Sequence, residues 1–111
     1  MKQVKLIVKG RVQGVNFRFM VKNYCDREGL AGRVENLDNG DVEIIACGIE
    51  WKLRELIKWV KSSPGMSRVD EVAERWGECS EKVKGFKIRR DGGLIGDKMR
   101  GVKNLGKKLL R

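Results

Sequence analysis

A two-layer α+β sandwich is the fold class this sequence predicts, and three observations predict it. Runs that alternate apolar and polar residues exchange with runs that repeat every three to four residues, in the order β-α-β-β-α-β. Gly, Asn, Asp and Pro stand at the exchanges. The chain has 111 residues, 41% of them hydrophobic, which suits one domain with a modest aliphatic core.

Residues 4–9 alternate Val4, Leu6 and Val8 with Lys5, Ile7 and Lys9, as a half-buried strand does. From 17 to 28, Phe17, Met20, Val21, Tyr24 and Cys25 fall on one helical face, and Gly29 is a suitable stop. Residues 31–37 and 41–47 flank Asp38-Asn39-Gly40, a turn that favours positive φ at Gly40. They read as a β-hairpin with Val42, Ile44 and Ala46 on one face of its second arm. Residues 50–62 return to helical spacing through Leu53, Leu56, Ile57 and Val60, and Ser62-Ser63-Pro64-Gly65 ends that helix. An extended segment follows at about 67–77, and Phe86-Lys87-Ile88-Arg89 is a short closing strand. Two β-α-β halves joined by a hairpin make the ferredoxin-like sandwich, an antiparallel sheet with both helices on one face.

After Asp91 the register is lost, so the chain divides into a domain at 1–91 and a C-terminal extension at 92–111. Gly92-Gly93 reads as a hinge. Ile95, Met99, Val102, Leu105 and Leu109 would line one helical face, but Gly101 and Gly106 interrupt it at a cost of roughly 1 kcal/mol each against Ala. The extension therefore reads either as a broken helix or as a disordered segment. It also holds half of the net charge of +10: six Lys and Arg against Asp97 alone, where the first 91 residues hold 19 against 14. A mildly basic body suits a small anionic substrate. The basic tail suits a polyanion contact or simple solubility.

No apolar run is long enough to span a membrane, and the N-terminal residues lack the apolar stretch of a signal peptide, so a cytoplasmic protein is expected. The three cysteines, Cys25, Cys47 and Cys79, are odd in number and widely spaced, and predict neither a disulfide framework nor a zinc site. Cys25 on a helix face and Cys47 on a strand read as buried structural thiols. The chain has no histidine, which excludes Ser-His-Asp and Cys-His nucleophilic machinery and every histidine metal site. Chemistry here must use Arg, Lys, carboxylates, amides, hydroxyls or the backbone.

The segment Gly10 to Arg18 lies between the first strand and the first helix. Gly10 and Gly14 allow a sharp turn and close approach to a ligand. Backbone N–H groups of Gln13, Gly14, Val15, Asn16, Phe17 and Arg18 can converge on phosphate oxygens at the helix N-terminus. Arg18 in the first helical turn opposes the helix dipole, which makes sense if an anion lies between its guanidinium and those N–H groups. Its planar fork matches phosphate, at about 1.5–3 kcal/mol for a charge-assisted bond. A plain strand-to-helix connection carrying a surface arginine fits the same spacing. Neither a Walker loop nor a dinucleotide fingerprint is present. On the second strand, period two puts Asn36 on the core-facing side with Val34. Asn36 there either initiates the turn or carries a carboxamide that orients a water beside the loop.

The residues Gly10-Arg11-Val12-Gln13-Gly14-Val15-Asn16-Phe17-Arg18, then Gly29-Leu30-Ala31-Gly32-Arg33-Val34-Glu35-Asn36 and Asp38-Asn39-Gly40-Asp41-Val42-Glu43, resemble the acylphosphatase family. The similarity continues through Ala46-Cys47-Gly48, Trp59, Val69 and Phe86-Lys87-Ile88, and covers about residues 3–90. It implies hydrolysis of the carboxyl–phosphate anhydride of a small acyl phosphate, with inorganic phosphate as product or inhibitor and no metal or other cofactor. It implies that Arg18 binds the substrate and Asn36 orients the water. Three features depart from the family pattern. Arg33 stands where an aromatic is common, Pro64-Gly65-Met66-Ser67 varies the usual turn before the fourth strand, and the tail from Gly92 lies outside it. The competing readings are a nucleic-acid-binding module of the same fold and a catalytically silent anion-binding protein. The first is weakened because Lys84-Gly85-Phe86 starts like an RNA-recognition motif and then departs from it. Intact Arg18 and Asn36 weigh against the second.

Overall fold

The computed structural model describes residues 1–80 and 82–89. The extension at 92–111 lies outside them. Strand β1 (Lys2–Arg11) leads to helix α1 (Phe17–Glu28), then to β2 (Ala31–Asn36), β3 (Val42–Gly48), helix α2 (Glu50–Lys61), β4 (Arg68–Glu78) and β5 (Phe86–Arg89). The five strands form one sheet in the order β4-β1-β3-β2-β5. The first four pair antiparallel, as expected. The fifth corrects the all-antiparallel expectation, because β5 runs parallel to β2. The reason is the length of its connection. Residues 79–85 carry the chain from β4 at one edge across the end of the sheet to the opposite edge, so β5 starts level with the start of β2. Gly85 accepts a hydrogen bond from the Gly32 N–H at 2.9 Å there.

Both helices cover one face. The alternation predicted for β1 and β3 is realised in register, with Val4 opposite Ala46, Leu6 opposite Ile44 and Val8 opposite Val42, all fully buried. Phe17, Val21 and Cys25 from α1 and Leu53, Leu56, Ile57 and Val60 from α2 close the core from above. Each fully buried aliphatic side chain of this kind contributes about 1.5–3 kcal/mol relative to exposure. Tyr24 stacks on Trp59 at 4.5 Å between ring centroids and joins the two helices. No helix among the described residues is long and apolar enough to cross a membrane.

Gly10 is needed for a different reason from the one its sequence suggests. It lies inside β1 at a bulge against β4, with φ +133°, and a Cβ there would come within 2.1 Å of the Arg68 carbonyl oxygen. The close approach here is to a neighbouring strand.

The cysteines give a second correction. Cys47 and Cys79 form a disulfide with Cα atoms 5.6 Å apart, while Cys25 is the buried free thiol expected. Spacing along the chain hides this pair because β1 lies between their strands. Gln3 opposes Cys47 on one side, and the Cys79 N–H donates to the Met1 carbonyl on the other. The bridge pins the start of the 79–85 crossing to the sheet.

Candidate active site

Strands β1, β2 and β5 point the same way, and their C-terminal ends, Arg11, Asn36 and Arg89, come together at one end of the sheet. The loop 12–16 and the N-terminus of α1 close over that end. Val12 is buried and anchors the loop's start, and Phe17 is buried and anchors its exit into the helix. Between these anchors the backbone turns left-handed twice, at Gly14 (φ +74°) and at Asn16 (φ +67°), the residue that caps α1. Asn tolerates that region better than most side chains.

The N-terminus of α1 is unusually bare. Its cap makes no side-chain hydrogen bond, and no acidic residue lies in the first turn. No backbone hydrogen bond among the described residues engages the N–H groups of Gly14, Val15, Asn16 or Phe17. Such orphan donors, with the positive end of the helix dipole behind them, suit an anion.

Beside them lies a cavity of about 480 Å³, lined by Val12, Gly14, Asn16, Phe17, Arg18, Phe19, Asn36 and Ile88. Five of the seven residues singled out from the sequence therefore line one space. Arg18 is half-buried, and its Nη1 donates to the Arg89 carbonyl at 3.1 Å. A guanidinium held on one edge by a fixed carbonyl is aimed before any ligand arrives. Asn36 ends β2 on the helix-covered face, opposite buried Val42. Its Oδ1 is buried and accepts no hydrogen bond from another described residue. A buried acceptor left in that state costs about 1–3 kcal/mol unless something polar meets it.

The other two residues, Gln13 and Val15, do not line the cavity. Val15 packs against the core. Gln13 turns its side chain to the β2–β3 turn, where Nε2 donates to the carbonyls of Leu37 and Asp41, both at 2.8 Å. This role was not visible in the sequence, because it depends on where the hairpin turn sits. The turn is itself cross-linked. Asn39 Oδ1 accepts from the Asp41 N–H at 3.0 Å, and the largely buried Asp41 carboxylate meets Lys9 Nζ at 2.7 Å. That contact raises the Lys9 pKa above its ordinary value. Phe19 and Ile88 join Val12 and Phe17 in the apolar wall of the cavity, and Phe19 is one of the few large apolar side chains left exposed.

The family model for acylphosphatases matches residues 4–88. The acylphosphatase of Vibrio cholerae serotype O1 is 40% identical over 84 residues, covering 76% of this chain and 92% of its own length. That of Vibrio vulnificus is 43% identical over the same span. Among solved structures, the acylphosphatase of Bacillus subtilis is 40% identical with a TM-score of 0.76, covering 79% of this chain and 98% of that one. A family match over residues 4–88, with relatives 40–43% identical along nearly their whole length, places the protein in the acylphosphatase family, hydrolases of acyl phosphates.

Proposed function

We propose that Arg18 and the backbone N–H groups at the start of α1 bind the phosphate of an acyl phosphate, and that Asn36 orients the attacking water. The observation that carries this reading is the buried, unmatched Asn36 Oδ1 on the same cavity as Arg18. A carbonyl oxygen can only accept, so it calls for a donor, and a water in the cavity supplies one. A water so held is oriented with its lone pairs free to face phosphorus.

The chemistry asks little beyond this. Attack by water oxygen on phosphorus forms one P–O bond and breaks the bond to the acyl oxygen, which leaves as a carboxylate. The carboxylate is a good leaving group and needs no strong general acid. The water proton passes to a phosphate oxygen or to solvent, since an amide is too weak a base to take it. What remains is placement and stabilisation of charge on the equatorial oxygens. The guanidinium and the N–H groups supply the second, and the Asn36 carboxamide supplies the first. The product phosphate occupies the same cradle and inhibits.

Hydrolysis of acetyl phosphate by the purified protein, in the presence of a chelator, tests the activity. Asn36→Ala tests the assignment. It is expected to lose turnover while inorganic phosphate still inhibits at the wild-type concentration. Equal loss of turnover and phosphate affinity would remove Asn36 from the water-orienting role.

A further inference from the structure

The sheet face without helices carries a row of cations that the hydrolytic site does not use. Period two puts Lys5 and Arg33 on the side opposite the buried Leu6 and Val34. The register then aligns one residue from every strand. Arg75 of β4 opposes Lys5 of β1, Lys5 opposes Ile45 of β3, Ile45 opposes Arg33 of β2, and Arg33 opposes Lys87 of β5. Four cations and one isoleucine thus cross the whole sheet. At the β5 end the row opens into a concavity of about 670 Å³, where Lys82 and Lys84 of the crossing segment join Arg33 and Lys87.

The carboxylates beside this row answer only part of that charge. Glu43 lies 3.7 Å from Lys5 and 3.8 Å from Arg33, and Glu35 lies 3.5 Å from Arg33 and 3.4 Å from Arg89. Arg75 and Lys87, both exposed, make no ion pair among the described residues.

We infer that this face binds the phosphodiester backbone of a nucleic acid, through charge and without reading bases. Three observations select that occupant. The first is length. Four inter-strand steps span about 19 Å, the axial rise of five to six phosphates on one strand of a duplex. A small polyphosphate would fill the Lys82–Lys84 end and leave Lys5 and Arg75 idle. The second is the lack of a stacking platform. Every aromatic side chain among the described residues is on a helix or the helix-covered face, including Phe86 in the core and Trp76 beneath Arg54. Base stacking is therefore not on offer, and contacts fall to phosphates. The third concerns a bilayer, which would want apolar anchors beside the charge. Of the exposed large apolar side chains, Phe19 and Trp51 are on helices, Ile49 caps α2 and Met66 is in the α2–β4 turn, while Met1 stands at the strand end beside Cys47 and Cys79, away from the cation row.

The test measures fluorescence anisotropy of a labelled 20-base-pair DNA duplex with the full-length protein, over 50–200 mM salt. Arg75→Glu/Lys87→Glu is expected to bind at least tenfold more weakly, and to lower the salt slope by about 2, one unit per lost phosphate contact. The neutral pair Arg75→Gln/Lys87→Gln is expected to lose less, in the same direction. Both variants retain acyl phosphate hydrolysis, because neither residue lines the catalytic cavity. Wild-type affinity in the Glu double variant would overturn the proposal and assign binding to other charges of the chain. So would failure of the wild type to bind duplex at 50 mM salt, or binding to phosphatidylserine vesicles without binding to duplex.

Discussion

The Gln13 carboxamide donates to the Asp41 carbonyl at 2.8 Å, and through that contact the loop before α1 is fixed to the turn after Asn36. Its second bond, to Leu37, doubles the tie. The two halves of the proposed site come from segments joined by no peptide bond nearby, so their spacing depends on cross-links of this kind. Gln13→Ala removes both donors. The carbonyls are not orphaned, since Leu37 keeps the Gly40 N–H and Asp41 keeps the Leu37 N–H. The expected stability loss is therefore modest, about 1–2 kcal/mol in chemical denaturation. The expected loss in kcat is larger, on the order of ten- to a hundredfold, because a shift of about 1 Å between bound phosphate and water disrupts alignment. Gln13→Glu, which cannot donate, is expected to behave as Ala does. Unchanged kcat in both would show that the loop holds its position without this tie.

Arg18 offers a sharper contrast. Arg18→Ala is expected to lower kcat/KM by about a hundred- to a thousandfold, the scale for removing a preorganised donor to developing charge. It is also expected to abolish inhibition by phosphate. Arg18→Lys restores the charge but not the planar fork, nor the same hold on the Arg89 carbonyl, and is expected to recover only a small part. Steady-state kinetics with phosphate as inhibitor separates the two variants. Wild-type phosphate affinity in Arg18→Ala would remove the guanidinium from the cradle.

Much of this fold is legible in the chain because its core obeys two clean periods. The helix α1 begins and ends where Phe17 and Gly29 indicate, and all four apolar residues marked on α2 are buried. The gathering of Gly14, Asn16, Phe17, Arg18 and Asn36 on one cavity was legible through family likeness. Loop spacing alone left a bland turn equally open. What escaped depends on pairing between distant strands. The parallel seat of β5 follows from the path of residues 79–85, which no periodicity encodes. The Gln13 side chain reads as one more loop amide until the hairpin turn is placed beside it. Gly10 carries the signature of a ligand loop, yet its positive φ serves a strand bulge.

The same blindness hid the Cys47–Cys79 bridge, which has consequences for the site. It closes a loop of 32 residues in sequence and anchors the crossing segment that delivers β5. In turn β5 presents the Arg89 carbonyl to Arg18. On the loop-entropy scale a cross-link of this span contributes about 3–4 kcal/mol. Cys79→Ser is expected to lower unfolding stability by about that amount relative to the oxidised wild type. Reduction of the wild type is expected to bring the two together. Disulfides are rare where thiols are kept reduced, so thiol counting by mass spectrometry on protein purified under alkylating conditions reports which state the cell maintains. Equal stability of oxidised wild type and Cys79→Ser would show that the bridge adds nothing to the fold.

Cys25 predicts a pH dependence with a definite sign. Burial beneath α1 pushes its thiol up to about 12 from an ordinary 9.0, with the Asp26 carboxylate adding to the shift. The folded state therefore keeps the proton over a range in which the unfolded chain releases it. Where the unfolded state binds fewer protons, stability falls as pH rises. The contribution is fully present below about pH 9 and is lost progressively between about 9 and 12. By pH 10.5 the loss from this one group is roughly 2 kcal/mol, at about 1.4 kcal/mol per unit. Urea unfolding at pH 7.5 and 10.5 measures the total, and Cys25→Val, close in size and without a proton to lose, isolates the thiol. The valine variant is expected to lose about 2 kcal/mol less than the wild type between the two pH values. The paired Cys47 and Cys79 do not titrate, so the difference belongs to Cys25. An identical loss in both proteins would mean that other groups set the alkaline limit and that Cys25 is no more protected than a thiol in the unfolded chain.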